Sequence, residues 1–310
     1  MRVWVLVCLL GCGAAAQEAP PIRVDVGLVN LGFSVRDSAG KLVTDLARDE
    51  VEVSEDGQPQ TISFFARSTD VPLNLGLIMD ISGSQESFVK PHLRDLQAFL
   101  KSVLRPQDKA YLMAFANRLS LVCDYTGSAQ VLVQSLQEFQ RARSPGEFPM
   151  VGPRELRVLG TAFYDAIYYG STQMMRNVER GRRALIVFSD GEDNSSAHNM
   201  MDAIEAAQAN DVIIFAIRYT EARKGEYNAR NKYGISVMER IARETGGAGF
   251  DGRERDLADS FVRIGETLRS GYELAYHTAN SPGDGAFHKI AIRVKREGAA
   301  VRARSGYYSR

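Results

Sequence analysis

The sequence predicts an α/β protein, with a doubly wound, Rossmann-like, mostly parallel sheet set between two segments of antiparallel β structure. Two observations carry that prediction. From Val71 to about residue 270, nearly unbroken apolar runs alternate with stretches of helical periodicity, the signature of strands buried on both faces between helices. On either side of that region, apolar residues recur on a two-residue period, as in strands with one wet face.

Composition sets the outer bounds. The chain has 310 residues, and 38 Lys and Arg balance 38 Asp and Glu, which excludes both a globally basic nucleic-acid binder and a polyacidic disordered chain. Three cysteines cannot form a disulfide scaffold, and four scattered histidines do not make a His-rich metal box.

Taken in order, the chain opens with Arg2, the apolar run Val3 to Leu10 and the small-residue stretch ending Ala14-Ala15-Ala16. Residues 1–16 therefore read as a secretory signal peptide, too short to span a bilayer. Leu9-Leu10-Gly11-Cys12 offers a second reading, a lipoprotein box that would leave a lipid anchor at Cys12. Either way the protein is expected to be exported, to the periplasm, the medium or the cell surface. Cleavage after Ala16 leaves Cys123 alone, expected as a small buried hydrophobe.

Residues 17–70 form an N-terminal β segment. Val24, Val26 and Leu28, then Leu31, Phe33 and Val35, then Val51 and Val53 alternate with polar or small residues, and turns fall at residues 37–40 and 55–57. Residues 71–270 form the α/β domain. Leu73 to Met79, Ala184 to Phe188 and Val212 to Ile217 are its buried parallel strands. Val89, Leu93, Leu96, Leu100 and Val103 make one apolar helical stripe, with Pro91 in its first turn. Ala203, Ile204 and Ala207 mark another helix, and Val237, Ile241 and Ala242 a third that ends at Gly246-Gly247. In residues 271–310 the two-residue period returns, through Tyr272, Leu274 and Tyr276, then Ile290, Ile292 and Val294, then Val301 and Ala303. Neither β segment can bury its apolar face alone. Residues 22–68 are expected to pair with the C-terminal segment as a small β-sandwich, joining an acidic N-terminal flank to a basic C-terminal arm.

The chemistry concentrates at strand ends. The first buried strand ends in Met79-Asp80-Ile81-Ser82-Gly83-Ser84, placing one carboxylate and two hydroxyls on one loop. Thr161 follows Gly160 before a helical stretch, and Asp190 follows the strand ALIVFS. C-terminal strand ends in an open α/β sheet line the crevice where such folds bind ligands. Five oxygen donors without sulfur or imidazole suit a divalent cation, Mg²⁺ first and Mn²⁺ or Ca²⁺ as alternatives, rather than Zn²⁺. Helix capping by Asp80, Ser84 or Thr161 accounts for each residue singly but not for all five together. Glu192 and Asp193 read as solvated turn residues, or else as groups at the rim.

The order Asp-x-Ser-x-Ser, Thr, Asp resembles the metal-ion-dependent adhesion site of von Willebrand factor A domains, matching at Asp80, Ser82, Ser84, Thr161 and Asp190. The resemblance extends to DKAYLMAF around Asp108 and to the SDGEDN turn. The split flanks and the ending RSGYELAYHT…VRARSGYY look like the bacterial exported proteins called von Willebrand factor A-related. It implies a metal held by these five residues, directly or through water, with one position open to a ligand carboxylate. The expected function is then a metal-dependent, adhesion-type protein-binding module whose partner presents Asp or Glu. Nucleic acid is not an expected partner, and no later apolar segment is long enough to cross a membrane. The loops Arg141 to Leu159 and Thr220 to Tyr233 are expected at the rim, offering basic and aromatic contacts.

Two other readings stand beside this one. One is a structural envelope protein with a vestigial site. The other is a metal-dependent hydrolase, against which Ser82 stands where aspartyl-phosphate enzymes carry a second Asp, and for which no Gly-x-Ser-x-Gly elbow or His–Glu metal box appears.

Overall fold

The computed structural model describes residues 27–142, 147–153, 160–178, 180–222, 226–253, 257–280 and 283–309. The expected signal peptide, Cys12 and the alternation at Val24 and Val26 lie outside them.

The N-terminal segment supplies β1 (Leu28–Arg36), β2 (Val51–Glu55), β3 (Gln58–Gln60) and β4 (Ile62–Ser68). The α/β region follows with β5 (Leu73–Asp80), α1 (Val89–Val103), β6 (Lys109–Phe115), β7 (Leu119–Thr126), α2 (Ala129–Arg141) and α3 (Phe163–Tyr169). It continues through β8 (Arg182–Ser189), α4 (Met200–Ala209), β9 (Val212–Arg218), α5 (Ala229–Glu244), β10 (Gly249–Asp251) and α6 (Leu257–Arg269). The chain closes with β11 (Gly271–His277), β12 (Phe287–Val294), β13 (Ala300–Ala303) and β14 (Gly306–Tyr308).

The central sheet has six strands in the order β10-β9-β8-β5-β6-β7, parallel except for the antiparallel edge strand β7. All eight residues of β5 are buried, as the unbroken apolar run implies. Alternation along β5 sends Leu73, Leu75, Leu77 and Met79 to the face covered by α1, α2 and α6. The opposite face carries Ile78 and packs against α3, α4 and α5. Gly76 is required where β5 passes Tyr111, because a Cβ there would lie 2.3 Å from the phenol oxygen. At the N-terminal end of the sheet, Asp108 accepts from the Leu73 and Arg105 amides at 2.9 and 2.7 Å and pairs with buried Arg269. Cys123 departs from expectation: it is only half-buried, because β7 is an edge strand.

Two four-stranded antiparallel sheets, β13-β1-β11-β4 and β14-β12-β2-β3, each combine strands from both ends of the chain. Their inner faces share one core of Leu31, Phe33, Val53, Tyr272, Leu274 and Ile290 among others. The charge complementarity also appears: Arg296 binds Asp45 and Glu50, and Lys295 lies 3.4 Å from Glu52.

Candidate metal centre

β5 and its parallel neighbour β8 end side by side, Met79 opposite Phe188, so the next residues of each meet at one sheet edge. Asp80 is fully buried. Its Oδ1 accepts from the Ser82 amide at 2.9 Å and its Oδ2 from the Ser189 hydroxyl at 2.6 Å. Asp190, also buried, accepts from the Glu192 amide at 3.0 Å and from Gln85 Nε2 at 2.9 Å. Burial, and then the nearby Asp190 carboxylate, push the Asp80 carboxyl up to about 7. Among the described residues no Lys, Arg or His forms an ion pair with either carboxylate.

The hydroxyls come to the same edge by different routes. Ser82 and Ser84 lie in the loop and 3-10 turn after β5, with their oxygens 3.2 Å apart, Ser82 buried and Ser84 open to solvent. Thr161 is buried and held by backbone bonds to the loop after β8. Its amide donates to Asn194 Oδ1 at 2.7 Å, and its carbonyl accepts from the Asn194 and Ser195 amides at 3.1 and 3.2 Å. Gly160 precedes it with φ +129°, where a Cβ would lie 2.6 Å from Ser195 Cβ.

Capping does not consume these side chains. Ser82 sits at the N-cap of the 3-10 turn without a side-chain bond, and the N-caps of α1 and α3 are Phe88 and Ala162, also without one.

Gln85, Ser189 and Asn194 were not singled out by sequence reasoning. Gln85 is buried and ties Asp190 to the Tyr219 carbonyl, Ser189 fixes Asp80, and Asn194 fixes Thr161. Gln85 and Ser189 directly adjoin Ser84 and Asp190, and Ser189 ends an apolar strand; those were the signals to follow.

Glu192 and Asp193 are not merely solvated. Glu192 pairs with Arg230 of α5 at 2.7 Å, and Asp193 accepts from the Tyr164 amide of α3 at 3.3 Å.

The rim is partly as expected. Ser87 donates to Glu221 at 2.7 Å, placing the loop after β9 beside the Asp-x-Ser-x-Ser loop. The expected loop is shorter than read, since residues 229–233 already belong to α5. Tyr233 is exposed in the first turns of that helix, whereas Tyr227 of the loop lies between Arg218 and Arg253. In the other loop Phe148 packs on Phe139 of α2 at 4.8 Å and so is not a free contact anchor. Residues 143–146, 154–159 and 223–225 of these loops lie outside the described ones.

Strand order, the antiparallel edge strand and the placement of the five residues at the C-terminal edge agree with the resemblance read from sequence. The central domain is a doubly wound α/β fold whose six-stranded sheet is parallel but for one edge strand. No family model matches the chain, and no curated protein does. Among solved structures it is similar to an aerotolerance-related membrane protein of Bacteroides fragilis, with 17% identity over 63% of this chain and 98% of that one, TM-score 0.48. It is similar too to proximal thread matrix protein 1 of the mussel byssus, with 11% identity over 69% and 51%, TM-score 0.48. Manganese-loaded TRAP of Plasmodium vivax aligns with 14% identity over 79% and 98%, TM-score 0.39.

Proposed function

We propose that this domain is of von Willebrand factor A type and is an exported protein-binding module that engages an acidic side chain of a partner protein through a divalent cation. Asp80, Ser82, Ser84, Thr161 and Asp190 would hold the ion, with Gln85, Ser189 and Asn194 fixing their positions. One observation carries the reading: two buried carboxylates converge beside neutral hydroxyls with no basic side chain among the described residues paired to either. Burying like charges together is costly, and a cation relieves that cost. The all-oxygen set favours Mg²⁺, with Mn²⁺ or Ca²⁺ as other occupants. Bound, the ion supplies an electrophilic centre, because hydroxyl ligands leave much of its charge unquenched. Exposed Ser84 marks the side from which a partner carboxylate would approach.

Thermal melting in Mg²⁺, Mn²⁺ and EDTA tests the site. At a metal concentration of about 100 Kd the wild type gains about 2.7 kcal/mol. Asp190→Asn loses that gain, yet in EDTA it melts at or above the wild type, since one of two repelling carboxylates is gone. Melting blind to metal in the wild type sinks cation binding and leaves a structural module with a vestigial site. Affinity capture from an envelope fraction tests the partner: proteins released by EDTA and missed by Asp190→Asn support the module.

A further inference from the structure

A second group of metal-ligating side chains lies in the sandwich, away from the edge of the parallel sheet. Glu55 ends β2, Asp56 follows in the turn, and His288 lies on the neighbouring strand β12; their ligand atoms all fall within 4.8 Å of one another. The framework is set by the backbone. The Asp56 amide donates to the Lys289 carbonyl at 2.8 Å, and the Lys289 amide returns a bond to Asp56 Oδ1 at 2.8 Å. Asn280, in the loop after β11, brings its amide into the same space, 2.9 Å from His288 Nδ1, 3.1 Å from Glu55 Oε1 and 3.3 Å from Asp56 Oδ2.

Protons satisfy this set incompletely: an imidazolium pairs with both Asp56 and Asp284, but its Nδ1–H then faces the Asn280 NH₂ group. His288 Nδ1 lies 2.8 Å from Asp56 Oδ2, which needs a proton on the ring nitrogen. The Asn280 NH₂ group at 2.9 Å needs a lone pair on the same nitrogen. Turning the amide over removes that conflict but sets Oδ1 against two carboxylate oxygens.

Two further observations point to a cation. Glu55 is only 1% exposed; its Oε1 takes Tyr307, Thr278 and Asn280, while among the described residues its Oε2 has no well-aligned donor, the otherwise unpartnered Tyr276 hydroxyl lying beside the carboxylate. A buried carboxylate oxygen without a well-aligned donor is expensive. On the far side of the imidazole, the Asp284 carboxylate lies 3.2 Å from His288 Nε2. A carboxylate on the outer nitrogen of a ligating histidine fixes the tautomer, and with a cation in the cluster it would leave Nδ1 as the lone-pair nitrogen facing the ion.

We propose that Glu55, Asp56, His288 and Asn280 form a second divalent-cation site, oriented by Asp284, that takes Zn²⁺ or Mn²⁺. The imidazole separates it from the all-oxygen set at Asp80, since nitrogen ligands select transition metals over Mg²⁺ and Ca²⁺. The ligands come from β2, β12 and the loop after β11, so the ion would clip the N- and C-terminal segments together.

The test uses the full chain carrying Asp80→Ala, so that the other site does not contribute. Equilibrium dialysis against Zn²⁺, and separately Mn²⁺, followed by elemental analysis should find about one bound equivalent of at least one of them. Adding His288→Ala, or the exposed Asp56→Asn where His288→Ala does not fold, should weaken binding at least about tenfold. Asp284→Asn should weaken it about 10- to 100-fold while leaving every proposed ligand in place. Less than a tenth of an equivalent of both metals, or binding unchanged by Asp56→Asn and His288→Ala in folded protein, overturns the proposal.

Discussion

His92 illustrates how a single buried side chain sets a pH dependence. It lies on α1, 2% exposed, with its ring edge-on to Tyr219 at 4.4 Å and no hydrogen-bond partner for Nε2 among the described residues. Burial drives its pKa down to about 4, against an upward pull from Asp95. The unfolded chain, titrating near 6.5, therefore binds the proton first. The stabilisation is complete above pH 6.5 and is lost as pH falls through about 4. A shift of about 2.5 units corresponds to about 3 kcal/mol over that window. Urea unfolding at pH 7, 6 and 5 should show the wild type losing stability relative to His92→Phe on acidification, the Asp80 carboxyl, which titrates in the opposite sense, contributing alike to both. An unchanged slope in that variant would assign the pH dependence to another group.

At the scale of elements, the parts most legible in the sequence were those whose burial is simple. The run Leu73 to Met79 could be read as a central strand because both faces of β5 are apolar-packed. The stripe of α1 was read less well. Leu96, Leu100 and Val103 are buried as expected, but Val89 and Leu93 are only half-buried while His92, Asp95 and Phe99 go inside. Periodicity counts His92 and Asp95 as polar, yet Asp95 accepts the Tyr219 hydroxyl at 2.5 Å and thereby takes a place in the core. In α6, Leu257, Phe261, Ile264 and Leu268 carry an equally regular stripe that was open to the same reading. The five candidate ligands were readable because they sit at a strand end, in the turn just beyond it or directly behind a glycine, whereas the groups that orient them are ordinary polar residues made specific only by tertiary contact. Gln85, in the 3-10 turn after β5, is the clearest of these. Its amide spans Asp190 and the Tyr219 carbonyl. Gln85→Ala should leave the fold intact and weaken Mg²⁺ binding about 10- to 100-fold, as loss of an outer-shell partner does. Mg²⁺-dependent melting measures it, and wild-type affinity in the variant would make Gln85 a packing residue only.

For the whole molecule, the decisive feature is where the α/β region enters and leaves the sandwich. The Val71 amide reaches the Arg269 carbonyl at 3.4 Å, so both connections lie together at the N-terminal end of the parallel sheet, opposite the candidate metal edge. Arg36 of β1 donates to Thr267 of α6 at 2.9 Å, Arg302 to the Gly247 carbonyl at 2.8 Å and Arg304 to the Gln208 carbonyl at 2.9 Å. The seat is close: a Cβ on Gly246, just after α5, would lie 2.9 Å from the Ala303 carbonyl carbon of β13. Such docking leaves the Ser84 side free for a partner while the sandwich grips the far end. The proposed division, residues 17–70 and 271–310 around 71–270, then has a directional consequence. β11 lies between β1 and β4, and β12 between β14 and β2, so without the C-terminal strands the N-terminal ones keep only the β2–β3 hairpin. A chain ending at residue 270 should keep Mg²⁺-dependent melting of the α/β domain. Its N-terminal segment should become protease-sensitive and should expose Leu31, Phe33 and Val53, read as increased binding of an apolar dye. Protection of residues 27–70 in that shortened chain would mean that the N-terminal segment folds without its C-terminal partner, and the split-domain division would fall.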